Sequence, residues 1–216
     1  MTLDLFDSDQ PGYAQEAPAE GVVLLRRFAL ESDQSLVTAI ESVARQSAFR
    51  HMETPGGHVM SAAMTCCGEL GWVTDRRGYR YTQNDPQTGE PWPEMPRIFR
   101  ELAVRAAEAA GFPEFNPDAC LINRYRPGAK MGLHQDRDEQ DFSQPIVSVS
   151  LGLPVVFQFG GARRSDRPMR LPLSHGDVIV WGGKVRRHYH GVLTLRRGAH
   201  PLTGDCRYNL TFRKAG

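Results

Sequence analysis

From residue 119 to the C-terminus the chain is written in short apolar runs separated by Gly- and Pro-containing turns, and this alternation constrains the fold most. The runs are Ala119 to Tyr125, Ile146 to Leu151, Val155 to Phe159, Asp177 to Trp181 and Cys206 to Phe212. Each is too short for a helix and too regularly spaced for a βαβ unit, so they predict a β-sandwich or barrel. Upstream, a strand over Val22 to Phe28 is followed by Leu36, Ile40 and Val43 at helical spacing, from Ser32 as N-cap to about Ser47. A second helix is expected to open after Pro96, to bury Phe99, Leu102, Ala103 and Ala106, and to stop at Gly111. The helices should cover one face of the β-structure, giving an α+β whole. Residues 50–95 carry Trp72, Tyr79, Tyr81 and Trp92, with one weak strand around His58 to Met64, and are long for a passive connection.

At 216 residues one domain, residues 21–216, buries enough surface to fold without a disulfide or a structural metal. Residues 1–20 hold five acids, no base and two prolines, so a flexible arm is expected there. No apolar run approaches the ~20 residues needed to span a bilayer. With its acidic start, the chain reads as soluble, cytoplasmic and monomeric, with no membrane partner. Cys66, Cys67, Cys120 and Cys206 include no CxxC pair and read as buried free thiols rather than a zinc ribbon. The net charge of +1 hides an asymmetry: residues 160–216 hold twelve Lys and Arg against three acids, a candidate face for a polyanion.

Two His-x-Asp tripeptides compete for attention. His175-Gly-Asp177 stands directly before the run Val178 to Trp181 and reads as a turn. His134-Gln135-Asp136 places an imidazole and a carboxylate on one face of extended chain, their Cα atoms ~6.5 to 7 Å apart. With His190, in the strand-like Tyr189-His190-Gly191, it makes a set of two His and one carboxylate, which leaves open positions on Fe(II). The terminal run adds weight. Alternation in Arg207-Tyr-Asn209-Leu-Thr211-Phe-Arg213 turns two guanidiniums and an amide to one side and Tyr208, Leu210 and Phe212 to the other. Buried guanidiniums require an anionic partner, either an internal carboxylate or a small acidic cosubstrate. Asn123 and Tyr125 offer an amide and a phenol in the same way.

Taken together, Asn123-Arg-Tyr125-Arg-Pro-Gly, Leu133-His134-Gln-Asp136-Arg-Asp138-Glu, Ile146 to Gly152, His175 to Gly183, Tyr189-His190-Gly and Arg207 to Arg213 resemble the AlkB family in order and spacing, from about residue 21 onward. The resemblance implies a double-stranded β-helix (jelly-roll) core over residues 119–216, helices on one face, and a nucleotide-recognition lid over 50–95. It implies Fe(II), 2-oxoglutarate and O2, and oxidative dealkylation of bases of the 1-methyladenine and 3-methylcytosine type. Formaldehyde and succinate would be released. Single-stranded DNA would be the preferred substrate, with double-stranded DNA and RNA as further ones. It assigns His134, Asp136 and His190 to iron, with Arg213 beside them as a catalytic group. Arg207 would meet the distal carboxylate of 2-oxoglutarate with Tyr125 and Asn209, while Asn123 and Arg213 would lie near its metal-binding end. Trp72 would stack on the base opposite His134, Tyr79 and Thr54 would touch the nucleic-acid backbone, Met64 would border the pocket, and Asp138 would lie near the exocyclic edge. Lys130, Gln135, Arg137 and Arg164 are phosphate candidates. His188 is expected outside the metal shell, and Gly132 leaves room in the approach. Two alternatives are a hydroxylase of the same chemistry acting on a protein or small molecule, and a cupin-like metal-binding module that performs no oxidation.

Overall fold

Alternation decides which face of each strand meets which neighbour, and here it divides one large sheet between two cores. The computed structural model describes residues 13–216. In chain order it contains β1 (Ala14–Ala19), β2 (Val22–Arg26), α1 (Asp33–Gln46), β3 (Ala63–Gly68), β4 (Gly71–Asp75), β5 (Gly78–Thr82), α2 (Arg97–Ala109) and β6 (Ala119–Tyr125). It continues through β7 (Met131–His134), β8 (Ile146–Gly152), β9 (Val155–Phe159), β10 (Met169–Leu173), β11 (Val178–Trp181), β12 (His190–Val192) and β13 (Arg207–Arg213). Seven strands form a sheet in the order β1-β2-β11-β8-β13-β6-β3, four a second in the order β10-β9-β12-β7, and β4 pairs β5 as a hairpin.

On the outer face of the large sheet, Ile122, Val147, Val149, Val180, Leu210 and Phe212 pack against Leu36, Ile40 and Val43 of α1 and Phe99, Leu102 and Ala106 of α2. On the inner face, Leu24, Leu121, Ile146, Ile179 and Trp181 meet Val155, Phe157, Phe159 and Val192 of the small sheet. The Phe157 and Trp181 rings lie 5.8 Å apart across this second core. Two sheets closed on one another, with helices on one outer face, make the α+β jelly roll.

Several expectations need correction. Residues 14–19, expected in the flexible arm, form β1 at the edge of the large sheet, where Glu16 answers Arg26 at 2.7 Å; residues 1–12 lie outside the described residues. Ser32 precedes α1 but makes no side-chain cap bond, and Asp33 Oδ1 instead accepts the Gln34 amide. The weak strand around His58 to Met64 begins at Ala63, because Thr54 to Met60 folds into a tight turn in which the Thr54 amide donates to the His58 carbonyl at 2.9 Å. Gly111, at φ +83°, ends α2 as expected. All four cysteines are free and buried.

Candidate active site

His134 and His190 are 56 positions apart in sequence but directly opposite in the β7–β12 pairing. Cross-strand partners share a face, so the two rings meet with centroids 4.4 Å apart. Asp136 follows β7 and turns its carboxylate between them: Oδ1 lies 3.7 Å from His134 Nε2 and Oδ2 lies 3.7 Å from His190 Nε2. Ligand atoms of the three residues all fall within 4.8 Å of one another. His134 Nδ1 faces the Gly132 carbonyl at 2.9 Å and His190 Nδ1 faces the His188 carbonyl at 3.0 Å. An acceptor on that side fixes the hydrogen on Nδ1 and leaves each Nε2 lone pair pointing at the common centre. Burial, together with His134 beside it, pushes the His190 imidazole down to about 3, so it is neutral and ready to ligate. Burial alone would raise the Asp136 carboxyl. Arg213 first, then both imidazoles and Arg186, outweigh it and hold the group well below the usual carboxylate range. Two imidazoles and one ionised carboxylate fit an octahedral divalent ion with positions left free.

Strand β13 lays a row of polar groups beside this centre. Arg207 pairs Tyr125 on β6 and Gly152 on β8, and Asn209 pairs Asn123 and Ser150. Asn209 Nδ2 donates to Ser148 Oγ at 2.8 Å and to the Val149 carbonyl at 3.1 Å, and its Oδ1 accepts from Thr211 at 3.0 Å and Asn123 at 3.3 Å. Arg213 gives Nε and Nη2 to Asp136 Oδ2, at 2.8 and 2.7 Å. Arg207 is different. It is 1% exposed, its guanidinium lies 5.3 Å from the Tyr125 ring centroid, and Nη2 donates to Ser150 Oγ at 2.9 Å, while Nε and Nη1 have no partner among the described residues. Burial pulls this guanidinium down to about 10 and pushes the Tyr125 phenol up to about 12. An orphaned buried cation is the mark of an absent anion. The pattern fits 2-oxoglutarate, whose distal carboxylate would supply it.

A cavity of about 600 Å³ opens over the three ligands and connects them to the β4–β5 hairpin. Asn123, Tyr125, Asn209 and Arg213 line it; Arg207 lies outside the lining, against Tyr125. Thr54, Met64, Trp72, Tyr79 and Asp138 line it, as do Lys130, Gln135, Arg137 and Arg164. Two of these also contact Trp72. Tyr79 stacks on Trp72, with centroids 5.7 Å apart and planes at 19°, and Asp138 Oδ2 accepts the Trp72 indole N–H at 2.9 Å. Gly132 has open space where a Cβ would stand. His188 turns away, Nδ1 to the Gly160 carbonyl at 3.2 Å and ring against Phe159. His175-Gly-Asp177 is a turn, with Gly176 at φ +83° and Asp177 paired to Arg26 at 2.9 Å.

Sequence reasoning missed Glu139, Arg186, Tyr81 and the two serines Ser148 and Ser150. The serines could have been found, since alternation in Ile146 to Gly152 puts them on the inward face opposite Thr211 and Asn209.

A jelly roll that gathers two imidazoles and a carboxylate in one cavity, with an unpaired buried guanidinium against its Tyr125 wall, defines an iron- and oxo-acid-dependent oxygenase. The family profile described as 2OG-Fe(II) oxygenase superfamily matches residues 21–213. The alpha-ketoglutarate-dependent dioxygenase AlkB of Escherichia coli (strain K12) is 61% identical over 214 residues, 99% of this chain and 98% of that one. An AlkB homolog of Caulobacter vibrioides (strain NA1000 / CB15N) is 45% identical over 187 residues, 86% and 83% of the two chains. A solved structure, that of OsALKBH1, superposes with a TM-score of 0.82 at 30% identity, covering 93% of this chain and all of that one. The chain belongs to the AlkB family of Fe(II)- and 2-oxoglutarate-dependent dioxygenases, and its cofactors are Fe(II), 2-oxoglutarate and O2.

Proposed function

We propose that this dioxygenase removes alkyl groups oxidatively from N-alkylated bases of the 1-methyladenine and 3-methylcytosine type in DNA or RNA, with single strands preferred. The observation that carries the reading is one cavity shared by the ligand set and the stacked Trp72–Tyr79 pair. A base inside a duplex cannot reach a buried metal, so the substrate nucleotide must be extruded or taken from a single strand and held between flat surfaces. In this reading residues 50–95 serve as the recognition lid over the 119–216 core, and the protein acts as a cytoplasmic monomer. No described helix is long and apolar enough to cross a membrane.

Each side chain then has a definite task. His134, Asp136 and His190 hold Fe(II); Arg207, with Tyr125 and Asn209, takes the distal carboxylate of 2-oxoglutarate; Asn123 and Arg213 lie near its metal-binding end. Bound in this way, iron and 2-oxoglutarate would let O2 hydroxylate the alkyl carbon while 2-oxoglutarate is decarboxylated to succinate, after which the product would release formaldehyde and the restored base. Trp72 supports the base, Met64 and Asp138 border it, and Tyr79 and Thr54 meet the backbone. Lys130, Gln135, Arg137 and Arg164 face phosphates, contacts that position rather than specify.

The deciding experiment incubates the protein with Fe(II), 2-oxoglutarate, O2 and a 1-methyladenine oligonucleotide. The expected result is one formaldehyde released per adenine restored. Consumption of 2-oxoglutarate with the oligonucleotide untouched would move the substrate to a protein or small molecule. No consumption at all would leave a metal-binding module. Binding to the single strand should weaken with salt with a log–log slope of about −2 if Lys130, Arg137 and Arg164 each neutralise one phosphate.

A further inference from the structure

Glu139 lies in the loop between β7 and β8, three residues past Asp136, and is 6% exposed. Its Oε1 accepts the Tyr81 hydroxyl from β5 at 2.9 Å and lies 3.2 Å from Arg213 Nε. Oε2 lies 3.7 Å from Arg186 Nη2, and neither of those two atoms has a hydrogen-bond partner among the described residues. Arg213 Nε donates to Asp136 Oδ2, so one guanidinium is hydrogen-bonded to the carboxylate that points at the imidazoles and ion-paired with a second carboxylate that does not. Arg186 leans on the same group, with Nη1 donating to the Asp136 backbone carbonyl at 3.3 Å. Two guanidiniums and two carboxylates are thus closed into one buried cluster.

A second acid is not needed to satisfy Arg213, which already has two bonds to Asp136. It is needed to balance charge. With Glu139 the cluster is neutral and Arg213 is divided between two anions; without it the cluster is +1 and Arg213 belongs to Asp136 alone. A divalent cation is repelled from the second arrangement. Even screened as in bulk water, at a dielectric of ~80, one unit charge about 6 to 7 Å away changes a divalent ion's affinity by roughly tenfold, and a lower effective dielectric increases the effect.

We propose that Glu139 is a positioning residue for the metal centre, which shares Arg213 with Asp136 and so keeps the ligating carboxylate available to a divalent cation. The proposal rests on the reading that His134, Asp136 and His190 hold iron. Tyr81 separates charge from scaffolding, because its hydroxyl touches the same Glu139 oxygen yet carries no charge. Arg186 gives the opposite sign, since its loss removes a cation from the cluster.

The test is Co(II) affinity, followed by its visible absorption in the full-length protein without 2-oxoglutarate or nucleic acid, in parallel with melting temperature. Glu139→Gln should weaken Co(II) binding at least tenfold. Tyr81→Phe should stay within twofold of the parent even though it loosens the same contact. Arg186→Gln should bind Co(II) several-fold more tightly, and it keeps the question open to measurement should Glu139→Gln fail to fold. Equal losses in Glu139→Gln and Tyr81→Phe, or weaker binding in Arg186→Gln, would overturn the assignment and leave the cluster a scaffold. Failure of the parent protein to bind Co(II) would overturn the iron-site reading along with it.

Discussion

The two ends of β13 carry the same side chain in opposite surroundings. Arg213 is held by Asp136 and Glu139, and these anions with Tyr81 outweigh burial and raise its affinity for its proton. Arg207 meets one serine hydroxyl and a phenol ring, with no carboxylate in reach among the described residues, and burial draws its proton affinity down. Both are at most 5% exposed, so solvent does not distinguish them. The difference teaches that one end is a finished network and the other a receptor. Charges at the Arg213 end are balanced before any ligand arrives, whereas the Arg207 end is stable only because the fold imposes it and is completed by an anion from outside.

The contrast can be broken most forcefully at the finished end. Arg213→Met leaves Asp136 and Glu139 facing Arg186 alone, and breaking a buried pair in this way should cost about 3–5 kcal/mol in urea unfolding. A loss below about 1 kcal/mol would mean that the cluster is not interdependent. At the other end Arg207→Met should behave inversely. Stability without ligand should change by less than about 1 kcal/mol, because an unpaired charge leaves the interior, while affinity for 2-oxoglutarate falls by about 1.5–3 kcal/mol, or 10-fold to more than 100-fold. An unchanged affinity would remove Arg207 from the cosubstrate site.

Away from β13, Trp72→Ala should weaken binding of a methylated single strand by about 1–3 kcal/mol by anisotropy, with cosubstrate affinity untouched; equal damage to both would mean that the hairpin props up the core. The smallest expected change is Tyr125→Phe, which removes one neutral donor and should lower 2-oxoglutarate affinity by about 0.5–1.5 kcal/mol. Because burial pushes that phenol up to about 12, it stays protonated at working pH. The stability it gives is therefore present below the ordinary value near 10 and lost only as pH rises from there toward 12. Cosubstrate affinity should accordingly show no step from Tyr125 between pH 7 and 9.

What could be read from residue order follows the strength of periodicity. Strands β6 and β9 appear with the bounds the apolar runs implied, and β13 turns Arg207, Asn209, Thr211 and Arg213 inward as alternation requires. Strand β7 carries only four residues, two of them Gly132 and His134, and β12 carries three; neither has enough apolar repeats to show. Strand β10 hides Pro172, tolerable because it lies at a sheet edge. The β4–β5 hairpin is rich in Arg, Thr and Tyr and is fixed by cross-strand pairs rather than by a buried stripe. Alternation could say that both arginines of β13 face inward, but not which had a carboxylate waiting, since Glu139 and Arg186 reach Arg213 and Asp136 from loops without periodicity. The metal set was legible because His134 and His190 sit at paired strand positions where facing direction is fixed, with Asp136 two residues past the first.

The unpaired Arg207 guanidinium is the proposed seat of an anion. The most direct measurement is the gain in unfolding free energy on adding 2-oxoglutarate, with Mn(II) in place of iron, to the parent protein and to Arg207→Met at one concentration. At about a hundred times its dissociation constant the cosubstrate should stabilise the parent by about 2.7 kcal/mol, and the variant by about half of that or less. Equal gains in the two proteins would show that the dicarboxylate binds without Arg207 and would contradict the account.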